Sequence, residues 1–587
     1  MNIDVSAKPF FLEMEDIDWV QDTLASMPIE EKIGQLFFLM GMSGGPGELR
    51  SLIERIHPGG MMYRKTSASG LTKAYRALQD NAHIPLFLAA NLEAGGNGLL
   101  DEGTFFGHPM LIAATDDPEH ARRLGVVCAR EAKSVGGNMA FAPVVDINFN
   151  FRNPVTNIRS YGDDPERVAK MSAAYIKGAM VEGLSVTIKH FPGDGADARD
   201  QHLLTTVNNL GYSDWMATYG RVYRDCIDGG ANGLMAGHIS LPGYFDATDC
   251  DQKLRDIPAT LNSVLLNDLL RRELGYNGLI ISDATLMAGF AQQGKRADLV
   301  PRSIAAGIDM FLFTRNPDED YSFMLQGFRD GVISSERLND AVTRILALKA
   351  QLGLHKKSKQ DLVPNAFSKV NTTEHRQWAN EVADAGVTLV SDDQCLLPIE
   401  PAKYRRIGII YNGNESMEKT MFKNMRGLAG IMLKLIQLFS PKEQSATEKL
   451  VALLKEKGFQ AFEYDFGNLL AVMRDMNNPI EQWVGQFDLV IYLTKKETMS
   501  NQTSLQLEYK AMGFDAPWFV HEVPTIHVSL GNPYQLYDLS MVGTVINGYS
   551  PTDEVLSQLV DKLMGASEFR GVSPVDLSCR EFTGSLN

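Results

Sequence analysis

Residues 163–190 read DDPERVAKMSAAYIKGAMVEGLSVTIKH, and this stretch decides how the chain folds. Asp164 is followed by Pro165 and Glu166. That is a side-chain cap, a proline in the first turn where no amide donor is needed, and a carboxylate at the positive end of the helix dipole. The helix so opened runs toward Gly183, a residue suited to the left-handed stop. Behind it, the apolar run Leu184–Lys189 has the length and branched side chains of a buried strand. Helix, glycine stop and buried strand make one unit of a parallel sheet.

The same grammar extends in both directions. Asp116-Asp117-Pro118-Glu119 opens a second such helix, which runs toward Gly136-Gly137. Further strand-like runs lie at Pro85–Ala90, Met139–Val145, Gly233–Ala236, Leu279–Ser282 and Met310–Phe313. About 330 residues of this alternation, with no Gly-rich phosphate fingerprint, favour a (β/α)8 TIM-like barrel over a Rossmann sheet. The glycines of Gly41–Gly47 (GMSGGPG) fit no phosphate motif and read as a loop. A polar, basic segment around His355–Lys369 reads as a linker, which divides the chain into 1–354, 355–370 and 371–587. Beyond it Arg406–Tyr411, Phe487–Leu493, Pro524–Leu530 and Val542–Asn547 read as buried strands, and Thr447–Lys457 and Asp553–Met564 as helices. The second part is therefore a smaller, open α/β domain.

Composition narrows the function. The 587 residues are 44% hydrophobic and 22% charged, the values of a globular protein. Lys and Arg number 56 against 72 Asp and Glu, a net charge of −16, which argues against nucleic acid as a partner. Five scattered cysteines without a CxxC pair exclude a disulfide scaffold and a zinc knuckle. The N-terminus shows no signal-peptide pattern and no run is long enough to span a membrane, so a cytoplasmic location is expected. Oligomeric state is left open.

Four polar segments sit directly after expected barrel strands, where barrel enzymes build their sites. Ser185–His202 (SVTIKHFPGDGADARDQH) carries Lys189, His190, Asp194, Asp200 and His202. In Gly278–Gly289 (GLIISDATLMAG) the strand ends in Asp283, with Met287 beyond it. Asn157–Gly162 (NIRSYG) supplies Arg159, and Leu88–Gly98 (LAANLEAGGNG) supplies Asn91 and Glu93. An aspartate at a strand end is by itself more often a turn former, lone histidines such as His238 or His527 more often core, and a methionine a gap-filler. Convergence of four such segments on one barrel mouth favours a saccharide pocket instead.

KHFPGxG with a following DxH, a strand ending in SD followed by LM, FAPVVDIN and NIRSYG together resemble glycoside hydrolase family 3, in its β-N-acetylglucosaminidase branch. The resemblance runs from Met27 to Gly353 and continues through LVSDDQCLLPI and VINGYS, which implies an α/β sandwich for the second domain. It implies Asp283 as nucleophile, His202 with Asp200 as acid/base, and Asn91, Glu93, Arg159, Lys189, His190 and Met287 as substrate-binding. The implied reaction is retaining removal of terminal β-linked N-acetylhexosamine through a covalent glycosyl-enzyme. Two positions depart from the pattern: Asp194 stands where FPGHG has His, and Asn91 where an Asp is usual. The chemistry needs no metal or cofactor. An imidazole with a pKa of about 6.5 serves as both acid and base, Asp200 would orient its ring, and Arg159 and Lys189 would keep Asp283 ionised. Three alternatives stand beside this reading. One is a β-glucosidase or β-xylosidase whose acid comes from the second domain, for example Glu497. The others are a phosphorylase, because an imidazole does not repel phosphate as a carboxylate does, and a non-catalytic binding relative.

Overall fold

The computed structural model describes residues 3–41, 45–413, 444–467, 478–510, 513–580 and 582–584. Eight parallel strands form the first sheet: β1 (Phe37–Gly41), β2 (Gly60–Tyr63), β3 (Phe87–Ala90), β4 (Met139–Ala140), β5 (Ser185–Phe191), β6 (Gly233–Ala236), β7 (Leu279–Ser282) and β8 (Phe311–Leu312). β8 pairs with β1, and a parallel bridge between Ile281 and Met310 joins β7 to the foot of β8, which closes the barrel. Strand interiors are buried because helices cover the outside and packed side chains fill the inside.

The helix grammar of the sequence is realised. Asp117 caps α1 (Pro118–Ser134) by accepting the Glu119 amide, and Asp164 caps α2 (Pro165–Val181) by accepting that of Glu166. Gly136 and Gly183 follow at φ +99° and +77°. In the barrel two strands, β1 and β2, go beyond the expected set, as do Thr388–Asp392 and Gln460–Glu463 in the second sheet. β1 follows a helix directly, and Gly60-Met61-Met62-Tyr63 is short and lacks β-branched residues. The glycine-rich stretch is not wholly loop: Gly41 ends β1 and a helix begins at Pro46, while residues 42–44 lie outside the described residues.

The second sheet has six strands. β9 (Thr388–Asp392) runs antiparallel at one edge, followed in space by β14 (Thr544–Asn547), β13 (Thr525–Ser529), β12 (Leu489–Lys495), β10 (Arg406–Gly413) and β11 (Gln460–Glu463), all parallel. The segment 355–370 is packed rather than free: Lys359 Nζ donates to the carbonyls of Gln79 and Ala82, and the Ala366 amide to that of Ser134. One hydrophobic core runs from the barrel into the second sheet. The chain's last described residues return to the barrel, where Phe582 stacks on Phe149 at 5.4 Å. No described helix is long and apolar enough to cross a membrane.

Candidate active site

A cavity of about 560 Å³ opens at the C-terminal ends of the barrel strands. Asn91, Glu93, Arg159, Lys189, His190, His202, Asp283 and Met287 all line it. Asp200 sits behind His202, and Asp194 behind the loop, only 2% exposed. The Asp194 departure therefore does not face the cavity, whereas Asn91 does.

Asp283 follows β7 directly. Its Oδ1 accepts the Ala284 amide at 2.7 Å, and its Oδ2 lies 4.0 Å from His190 Nε2. Burial pushes its carboxyl up, but His190, His238, His202 and the Ala284 amide outweigh that, so its pKa lies below the ordinary aspartate value. The two cations expected to serve this purpose make their direct contacts with Glu93. Arg159 forks onto Glu93 at 2.7 and 2.8 Å, and Lys189 Nζ lies 2.6 Å from Glu93 Oε1. Although burial opposes ionisation of Glu93, the two cations drive its pKa far below the usual range. Lys189 is lowered by burial, which its partner Glu93 only partly offsets. The imidazoles are the largest favourable influence on Asp283, and Arg159 and Lys189, paired directly with Glu93, also interact with it electrostatically.

His190 is oriented by a residue the sequence reading passed over. Its Nδ1–H donates to Asp146 Oδ2 at 2.7 Å, and its backbone amide to Asp146 Oδ1 at 3.0 Å. Asp146 belongs to FAPVVDIN and directly follows the expected strand Met139–Val145, so the strand-end rule applied to that motif would have found it. Burial and the nearby Asp146 raise Asp194 to about 7, against the opposing effect of His190.

His202 also lines the cavity, and its Nδ1–H donates to Asp200 Oδ1 at 2.6 Å. Its Nε2 faces Ser500 Oγ at 3.1 Å. Ser500 comes from the loop after β12, which brings Thr498, Met499 and Ser500 to the cavity. No sequence signal marks it, since 298 residues separate it from His202. The competing carboxylate, Glu497, lies 3.3 Å from His108 Nε2 and 3.4 Å from Lys495 Nζ, and is not among the cavity-lining residues. His238 is fully buried, with Nδ1 3.0 Å from Thr260 Oγ1 and Nε2 3.1 Å from the Ala284 carbonyl. Among the described residues no group of three His, Cys, Asp or Glu side chains could hold a metal ion.

A parallel barrel with ionised carboxylates and imidazoles gathered at its C-terminal mouth is the architecture of a barrel enzyme. The chain belongs to glycosyl hydrolase family 3: residues 28–348 match the family's N-terminal domain. It is 42% identical, over the whole of both chains, to a β-N-acetylglucosaminidase/β-glucosidase of Cellulomonas fimi. Its structure is similar to that of the β-glucoside phosphorylase BglX bound to 2FGlc, with TM-score 0.88 and 37% identity, covering 98% of this chain and 99% of that one. A family 3 β-N-acetylglucosaminidase from Paenibacillus sp. str. FPU-7 shares the fold, with TM-score 0.76 and 23% identity over 94% and 100% of the two chains.

Proposed function

We propose that the protein is a retaining, exo-acting β-glycosidase that removes terminal β-linked N-acetylglucosamine. In this reading Asp283 attacks the anomeric carbon while the His202 imidazolium gives its Nε2 proton to the departing oxygen, and the C–O bond breaks. Neutral His202 then takes a proton from water, whose oxygen displaces Asp283 and releases the sugar with retained configuration. Glu93, Arg159, Lys189, Asn91, His190 and Met287 hold the terminal sugar. The observation that carries the reading is the 2.6 Å Asp200–His202 pair, with His202 lining the cavity and its Nε2 left to Ser500 Oγ. A charged Asp200 stabilises the imidazolium, while Glu497 is committed to His108 and Lys495.

A 2-fluoro or 5-fluoro glycosyl fluoride is expected to label Asp283. Labelling of another residue, or an inverted product by NMR, overturns the assignment. Turnover of p-nitrophenyl β-N-acetylglucosaminide above the glucoside, N-acetylgalactosaminide and xyloside supports the sugar preference. Preference for the glucoside moves the reading toward the β-glucosidase activity of the Cellulomonas relative.

Phosphorolysis is the second reading, and a specific observation favours it. The acid/base is an imidazole, neutral after the first step, so an incoming phosphate meets no carboxylate charge at that position. The similar structure 37% identical over nearly the whole chain is that of a β-glucoside phosphorylase. Sugar 1-phosphate rather than free sugar in phosphate buffer decides for it.

A further inference from the structure

Gln201, the residue between Asp200 and His202, is fully buried at 0% exposure, and both ends of its side-chain amide are held by the barrel. Its Nε2 donates to Asp194 Oδ2 at 3.2 Å, and its Oε1 accepts the backbone amide of His238, just past β6, at 3.0 Å. Asp194 is fixed in turn. Its Oδ1 accepts from Asn153 Nδ2 at 2.8 Å and from the Gly195 amide at 2.7 Å, while its own amide donates to Asp146 Oδ1 at 2.8 Å. The turn admits little else: a Cβ on Gly195, at φ +98°, would lie 2.0 Å from the Ile147 carbonyl oxygen.

We propose that Asp194 and Gln201 are positioning residues whose buried tie, Asp194–Gln201–His238, registers the Asp200–His202 loop over Asp283. The proposal rests on the reading of His202 as acid/base. Only one peptide bond separates Gln201 from each member of the pair, so a shift of its backbone moves both. Proton transfer works over heavy-atom distances of about 2.6–3.2 Å, and a misplacement of about 1 Å can cost a hundredfold.

The test compares a β-linked disaccharide, whose leaving group needs an acid, with the burst of dinitrophenolate from a dinitrophenyl glycoside, which needs almost none. In Asp194→Asn the new amide faces the Gln201 amide donor and the tie breaks. Disaccharide kcat/KM should then fall roughly ten- to a hundredfold while the burst rate changes by less than about twofold. Adding Gln201→Glu reverses the polarity of the tie: the amide introduced at position 194 donates, and the carboxylate introduced at position 201 accepts from it and from the His238 amide. This double variant should recover disaccharide cleavage to within about threefold of the parent. If Asp194→Asn does not fold, Gln201→Met keeps the volume, removes both hydrogen bonds and should show the same split. Equal losses on both substrates, no loss, or no recovery in the double variant overturns the proposal. His202→Ala runs in parallel. If it shows the split and the tie variants do not, the tie has no positioning role; if it lacks the split, the acid/base reading falls and this inference with it.

Discussion

Glu93 shows how one side chain can tie together two cations of the cavity lining. It lies between Arg159 and Lys189 and its pKa is driven far below the ordinary range. Glu93→Gln leaves two buried cations without their counter-charge, with an expected cost of up to about 3 kcal/mol and impaired sugar binding. The folded-state pKa is depressed, so the stability Glu93 contributes is complete above its unfolded value and is lost as pH falls toward the folded one. The melting-temperature gap between wild type and Glu93→Gln should be constant above about pH 5.5 and narrow below about pH 4.5. A gap that widened in acid would contradict the ion-pair account. His190 makes the same point for Asp146, whose Oδ2 fixes the ring so that Nε2 turns toward Asp283. On the proposed assignment of Asp283 as nucleophile, Asp146→Asn should slow both the dinitrophenolate burst and disaccharide cleavage, unlike changes at His202.

At the scale of elements, α3 (Ser335–Gln351) places Lys349 beneath the N-terminal ends of β1 and β3, 2.7 Å from Gln35 Oε1 and over the Phe87 ring. Burial lowers this amine to about 7. Its unfolded value is about 10.4, so the destabilisation grows as pH falls through that interval and is complete below the folded value. Lys349→Met should melt higher than wild type at pH 6, and the advantage should vanish at about pH 10. An advantage unchanged across that range would mean a packing effect. The loop after β12 acts differently, since Ser500 meets the one His202 nitrogen that Asp200 leaves free. Ser500→Ala should lower disaccharide kcat/KM by about two- to tenfold, the worth of one hydrogen bond. An unchanged value would make that contact incidental.

Across the whole molecule, the barrel and the second sheet are joined by buried polar contacts as well as by a shared core. His375 Nδ1, on α4 (Thr373–Gly386), lies 2.7 Å from Glu131 Oε1 on α1, both essentially unexposed. Asn148 Nδ2 donates to Tyr534 Oη at 2.8 Å, and the tail returns through Phe582. Calorimetry should therefore show one cooperative transition, and a chain ended at residue 354 should neither fold stably nor give the dinitrophenolate burst. Two resolved transitions, or an active barrel on its own, would show that the two parts fold independently.

What the sequence determined by itself was what local chemistry dictates. Asp117 and Asp164 capped their helices, Gly136 and Gly183 ended them, and buried runs such as Gly233–Ala236 and Leu279–Ser282 became strands with the bounds read from the chain. The residues gathered at the mouth were legible too, because a parallel barrel sends every strand's C-terminal end to one face. Tertiary structure alone decided which charges pair. Nothing in the order of residues tells that Glu93 would pair directly with both Arg159 and Lys189, since that depends on ångström distances between loops from different strands. The same holds for Ser500 and Gln201. One reaches His202 from the second domain, and the other reads in sequence as a spacer between two chemical groups. Hydrogen bonds fall off within tenths of an ångström, so only the packed fold selects their partners.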